Sequence, residues 1–221
     1  MKIELIPVIE ITNYDEDLNI PDNGPYWEYQ DDWELYRQLS NKKAGFKEDL
    51  TPYLKGSPLY RMSDISHDDL LKLVLEQTQE MREHDNDREL CSAFSGGYIL
   101  RIDNEDKIFP QCCSDLGSIE SWHDLVTEQI LTYYQGHPTP VVSFIDNFII
   151  FDLTTKETDY EKFVPTPLQT IVKVNREQLA TAVEKVQKEL QEFSVKLSKI
   201  NTDNQLDIDN IEKLLIFGQY E

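Results

Sequence analysis

Seven apolar residues near the C-terminus constrain this chain more than any other feature. Leu179, Val183, Val186, Leu190, Phe193, Leu197 and Ile200 follow one another at spacings of 4, 3, 4, 3, 4 and 3. Only an α-helix brings such positions onto one stripe. Asn175 stands where an N-cap is needed, and Gln178, three residues on, occupies the reciprocal position of a capping box. The seam must be buried. It does so along the sheet of its own chain or against the same seam of a second copy, which would make a homodimer. A short helix over 208–216 is expected after Asp207, so 175–221 reads as a helical C-terminal part.

The partner for such a helix is a sheet in the middle of the chain. Residues 2–11 are apolar and β-rich, with Pro7 pointing to an edge position or a bulge. Residues 90–103 read as a strand weakened at Gly96–Gly97, turning at 104–106 into a returning strand. Residues 140–154 read as a hairpin about Asp146–Asn147, and 168–174 as a further strand. A helix is expected over 66–84, capped by Ser66 and carrying a stripe of Leu70, Leu71, Val74, Leu75 and Met81. Residues 46–63, broken by Pro52, Gly56 and Pro58, hold only short helical turns. Fold class is α+β. One central, mainly antiparallel sheet of about five or six strands carries helices on one side, in a single domain over 1–221. The hairpins argue against a doubly wound parallel sheet.

Charge narrows the partners. The 221 residues carry 42 acids against 21 bases, a net charge of −21. Such a surface repels phosphate, which disfavours nucleic acid and anionic membranes and favours a basic protein partner. No run approaches the roughly 18 apolar residues of a membrane span. The N-terminal stretch lacks the uninterrupted apolar core of a signal peptide. Three cysteines, an odd number, make no disulfide framework. A cytoplasmic protein with reduced thiols follows.

The charge is uneven. Residues 1–36 hold ten acids and one base. Residues 13–31 read as a long acidic, aromatic loop, followed by a helix from about Asp32 to Asn41. Long loops in compact domains often carry function. Tyr26, Trp27, Tyr29, Asp31, Asp32, Trp33 and Glu34 have the composition of a docking surface, with Tyr36 beside them. Aromatics supply anchors, and acids supply steering. The competing reading puts Trp27 and Trp33 in the core.

The stretch PQCCSDLGSIESWHDL, residues 110–125, is the one place that invites chemistry. Pro110 ends a strand, and Ser118 can cap a helix with Ile119, Trp122, Leu125 and Val126 on one face, extended by Ile130. Cys112 and Cys113 then lie in the connecting loop, with His123 on the helix. A thiol nucleophile needs a base in reach, and His123 is one to two turns away. Zinc sites usually space cysteines by two to four residues, whereas these are adjacent. The plain expectation is two small, partly buried side chains filling a corner; the remaining alternative, a vicinal disulfide, is opposed by a reducing compartment. The glycine pair at 96–97 lacks a phosphate-binding context, and the acids at 15–17 lack the pattern of a calcium loop. No cofactor and no metal are expected.

In general character, acidic with helices before a small sheet and a helix after it, the chain resembles α+β immunity proteins, though no motif residue carries over. The function expected is a non-enzymatic binding protein, immunity- or antitoxin-like, acting on a basic protein. The alternatives are a self-associating structural or regulatory protein, and an enzyme without a recognisable motif.

Overall fold

The computed structural model describes residues 2–47, 50–127, 133–154 and 162–219. Its contacts divide the chain into two compact units, Val8–Cys91 and Met1–Pro7 with Ser92–Glu221. Among the described residues no helix is long and apolar enough to cross a membrane.

The unit Val8–Cys91 contains the end of β1 (Ile3–Glu10), α1 (Gln30–Ala44), β2 (Leu59–Arg61), α2 (His67–Gln77) and α3 (Gln79–Glu83). β2 pairs antiparallel with the second half of β1, Val8 opposite Arg61 and Glu10 opposite Leu59. Pro7 stands one residue before this ladder. β1 lies between β2 and β3 and is no edge strand, and its proline falls outside the ladder with β2. β2 corrects the expectation of helical turns alone over 46–63. Three residues between Pro58 and a 3₁₀ turn at Met62–Asp64 suffice for a strand whose Leu59 and Tyr60 are buried. Ser66 caps α2, accepting from the Asp69 amide at 3.2 Å. The single helix expected over 66–84 is broken at Thr78, whose hydroxyl donates to the Val74 carbonyl at 2.7 Å. Such back-bonding bends helices.

The other unit contains the start of β1, β3 (Gly96–Ile102), β4 (Glu105–Ile108), α4 (Ile119–Thr127), β5 (Val141–Ile145), β6 (Phe148–Asp152), β7 (Ile171–Asn175), α5 (Arg176–Asp203) and α6 (Ile211–Phe217). The β3–β4 turn falls on Asp103 and Asn104, at φ 49° and 70°, one residue earlier than expected. Positive φ at both central residues matches the twist of a two-residue hairpin. The β3–β4 register shifts between Leu100 and Arg101. Residues 90–95 precede the strand, with Arg88–Leu90 a 3₁₀ turn. Ile130, expected to extend α4, lies outside the described residues.

Among the described residues seven strands form two sheets in place of the single one expected. The orders are β2-β1-β3-β4 and β5-β6-β7. β5–β6 is the expected hairpin, and β7 joins β6 antiparallel. On β6 and β7, Ile149, Phe151, Val172 and Val174 are buried while their neighbours along each strand face outward.

The seam of α5 lies inside the chain. Leu179, Val183, Val186, Leu190, Phe193, Leu197 and Ile200 are all between 0 and 4% exposed. α5 packs on α4 and α6. Asn175 caps it, accepting from the Gln178 amide at 3.1 Å. The next residue, Arg176, reaches back to the Val126 and Thr127 carbonyls at 2.8 and 3.1 Å. A cation there satisfies the end of α4. Beside α4, the buried Trp122 indole donates to Gln135, whose amide donates to the Tyr98 carbonyl at 2.6 Å. Each such buried polar group needs its partner.

Leu190→Ala is expected to lower unfolding free energy by about 2–5 kcal/mol. Its mass by light scattering should equal that of the wild type at every concentration. A shift of the variant from dimer to monomer would assign the seam to an interface between chains.

Candidate functional site

The acidic aromatic stretch becomes the loop before α1 and the helix's first half. α1 begins at Gln30, two residues before the expected start, and runs to Ala44, three residues past the expected end. Asp31 and Asp32 stand in its first turn and Lys42 and Lys43 in its last, both favourable to the helix dipole.

Each side of α1 is tied down. The loop lies along it. Asn13 donates to Asn41 at 2.9 Å, Asn23 to Asp32 at 2.5 Å, and the Trp33 indole to the Gly24 carbonyl at 2.8 Å. Lys43 bridges Asp15 and Asp17 at 2.8 and 3.2 Å. The Lys43 hydrogen bond holds the Asp15 carboxyl below its usual range. That tie is complete above the ordinary carboxylate range and is lost as pH falls through the depressed value.

On the other side stands Gly56. Its amide donates to Glu34 at 2.8 Å, and its carbonyl accepts from Arg37 at 2.8 Å. At φ 74°, a Cβ added there would lie 2.8 Å from the Gln30 carbonyl oxygen and 3.0 Å from the Trp33 Cβ. Only glycine lets this backbone approach the helix so closely.

Behind α1 lies a polar cluster. Arg37 sits 5.3 Å from the Trp33 ring centroid, and Asn41 donates to the Tyr60 hydroxyl at 2.8 Å. Burial pushes Tyr26 up to about 12 and raises Tyr60, with Arg37 opposing in both cases. Burial likewise raises Glu10, again against Arg37, and pulls Arg37 itself down. Arg37 thus faces Glu10, Tyr26 and Tyr60, while Lys43 and Lys55 meet the acids Asp15, Asp17 and Asp31.

The seven residues expected to bind a partner divide between two roles. Tyr29, Asp31 and Asp32 are exposed. Tyr26 and Trp27 are half-buried, edge to face at 5.1 Å. Trp33 and Glu34 are half-buried and engaged in the internal bonds above, while Tyr36 is 4% exposed. Asp31 also pairs with Lys55.

Two residues not anticipated join the exposed group. Leu35 and Leu39 are 59% and 43% exposed. With Asp31 they repeat every four residues, one line along the helix. The signal was present: Tyr36 and Ser40 share the buried face, so a pair offset by one position turns away from it. Leu35 and Leu39 border a hollow of about 330 Å³ with Leu50 and Pro52, rimmed by Lys42 and Lys47.

A second hollow, of about 690 Å³, lies between α4, α5 and α6. Ile119, Leu190 and Ile216 line it, together with Glu120, Asp124 and Glu212. His123 opens onto it, 3.7 Å from Asp124. His123 is not what meets the cysteines. The neighbour of Cys112 is His137, whose amide donates to the Cys112 carbonyl at 2.9 Å. Cys112 and Cys113 are both exposed, which corrects the expectation of corner-filling side chains. The corner is filled instead by Gln111, Ser114 and Leu116, all buried. Among the described residues no three His, Cys, Asp or Glu side chains are grouped to hold a metal ion.

Gly56→Ala is expected to destabilise more than Gly45→Ala. Both positions have positive φ, 74° and 90°, so both carry a left-handed penalty of about 1–2 kcal/mol. Only at Gly56 does an added Cβ meet the helix; at Gly45 nothing lies within 4 Å. Equal losses in urea denaturation would contradict the close approach. Compared with protein-family models, curated proteins and solved structures, the chain matches none.

Proposed function

We propose that this protein is a non-enzymatic, cytoplasmic binding protein that captures a basic protein partner on the outward face of α1, in the manner of an immunity protein or antitoxin. One observation carries the reading. Asp31, Leu35 and Leu39 form a single exposed line on a helix held in place from both sides.

A helix so held loses little freedom on binding, which favours affinity. Leu35, Leu39 and the hollow beside them suit an apolar or aromatic anchor. Asp31, Asp32 and the exposed Glu28 suit basic residues flanking that anchor. The net charge of −21 steers such a partner from a distance. Lys42 and Lys43 stand in the last turn of α1 and Asp31 and Asp32 in its first, so the partner's basic side is expected to meet the N-terminal half of the helix.

The test is capture from the native cell followed by binding kinetics. Wild type is expected to retain a basic protein at low salt and to release it as salt rises. Replacing Asp31 and Asp32 by lysine should slow association at least tenfold and leave dissociation nearly unchanged. Folding should change by about 0–1 kcal/mol for each exposed charge. A reversed variant that folds and associates at the wild-type rate would place the interface elsewhere.

A further inference from the structure

Cys112 and Cys113 stand side by side in the stretch between β4 and α4. Adjacent residues in extended chain turn their side chains to opposite faces. Here both are exposed and their sulfurs stand 3.2 Å apart. Cys113 adopts φ 67°, a left-handed conformation uncommon for a residue with a side chain. Conformations of this kind persist where the surroundings determine them, and they cluster at functional places.

The surroundings do determine it. The preceding Gln111 is buried, and its side chain donates to the Phe109 and Val164 carbonyls and accepts from the Val164 amide, each at 2.9 Å. Its backbone amide donates to the Gln135 carbonyl at 3.0 Å. The Cys112 carbonyl is held by His137, and the Cys113 carbonyl accepts from the Tyr134 hydroxyl at 3.4 Å. Gly136 presses so closely that an added Cβ would lie 2.5 Å from the Cys112 carbonyl oxygen. The pair of thiols is displayed on a fixed corner.

We propose that Cys112 and Cys113 are a redox-active vicinal dithiol, a modification site that a hydroperoxide converts to an intrachain disulfide and that a trivalent arsenical chelates through both sulfurs. In the oxidation, one thiolate attacks a peroxide oxygen. An S–O bond forms, the O–O bond breaks, and hydroxide leaves and takes up the thiol's proton as water. The second thiolate attacks the sulfenic sulfur. The S–S bond forms, the S–O bond breaks, and a second water departs. Two thiols and one hydrogen peroxide give one disulfide and two waters.

Closure requires the sulfurs to approach from 3.2 Å to about 2.0 Å. Successive Cα atoms lie about 3.8 Å apart, short of the roughly 4.4–6.8 Å usual across a disulfide. The bond so formed is strained and exposed, which makes it easily reduced and places it with labile, switchable disulfides. Cys91 is the built-in control. It is 1% exposed, donates to the Gln77 carbonyl at 3.3 Å, and burial pushes its thiol up to about 11. At neutral pH it stays protonated and unreactive.

The test treats the native protein with a small molar excess of hydrogen peroxide, then alkylates and maps its peptides. The expected product is a Cys112–Cys113 disulfide, seen as a loss of two hydrogens that dithiothreitol restores, with Cys91 still a thiol. Phenylarsine oxide is expected to bind one equivalent, to be excluded by prior oxidation, and to bind at least tenfold more weakly to Cys112→Ser or Cys113→Ser. Wild-type mapping decides the matter even if a serine variant folds poorly. Sulfinic acid at either cysteine without a disulfide, a disulfide between two chains, or thiols unchanged by peroxide would overturn the proposal. So would arsenical binding undiminished in folded single-serine variants.

Discussion

The close approach of Gly56 to α1 is the constraint on which the presented surface depends. One residue donates to Glu34, accepts from Arg37 and leaves no room for a Cβ against Gln30. These bonds draw two charged side chains of α1 to the same point and so fix which way the helix faces. Tyr36 and Ser40 turn inward, and Asp31, Leu35 and Leu39 turn outward as a consequence. The loop before α1 then lies along the helix through Trp33, Asp32, Asn41 and Lys43. An acidic stretch that would otherwise repel itself is held by one arginine behind it and lysines at its edges.

The other unit depends on burial more than on polar clamps. The α5 seam places seven apolar side chains in the interior, each contributing about 1.5–3 kcal/mol when fully buried. The helix is positioned at its start by Asn175 and Arg176, adjacent residues that satisfy the ends of two helices. The β5–β6 hairpin turns within two residues and β7 runs directly into the capped α5, so each of these pairs is built from neighbours in the chain.

That locality explains what was legible in the sequence. The α5 seam, the Ser66 and Asn175 caps, the Asp146–Asn147 turn and the apolar face of α4 are patterns within a few residues, and each appears where its pattern puts it. Partition of the strands into two sheets was not legible, because strand order is set by pairings between distant segments, such as Val8 with Arg61. β2 escaped notice because three residues between a proline and a 3₁₀ turn show no period. The start of α1 was obscured because its cap, Tyr29, makes no side-chain capping bond. Of the surface residues, the acids were readable from composition, but the inward turn of Trp33 and Glu34 required the position of Gly24 and Gly56. The exposure of the cysteines has no local signature either: small apolar residues in a corner are usually buried, and here Gln111 takes the interior place.

Amide hydrogen exchange of the protein, free and bound to its captured basic partner, tests the central claim most directly. In the free protein, residues 30–44 are predicted to exchange slowly, as a helix tied on two sides should. On binding, new protection should appear over 28–39, with the helices that enclose the 690 Å³ hollow, α4, α5 and α6, unchanged. New protection confined to those three helices, with 28–39 exchanging as in the free protein, would contradict the account.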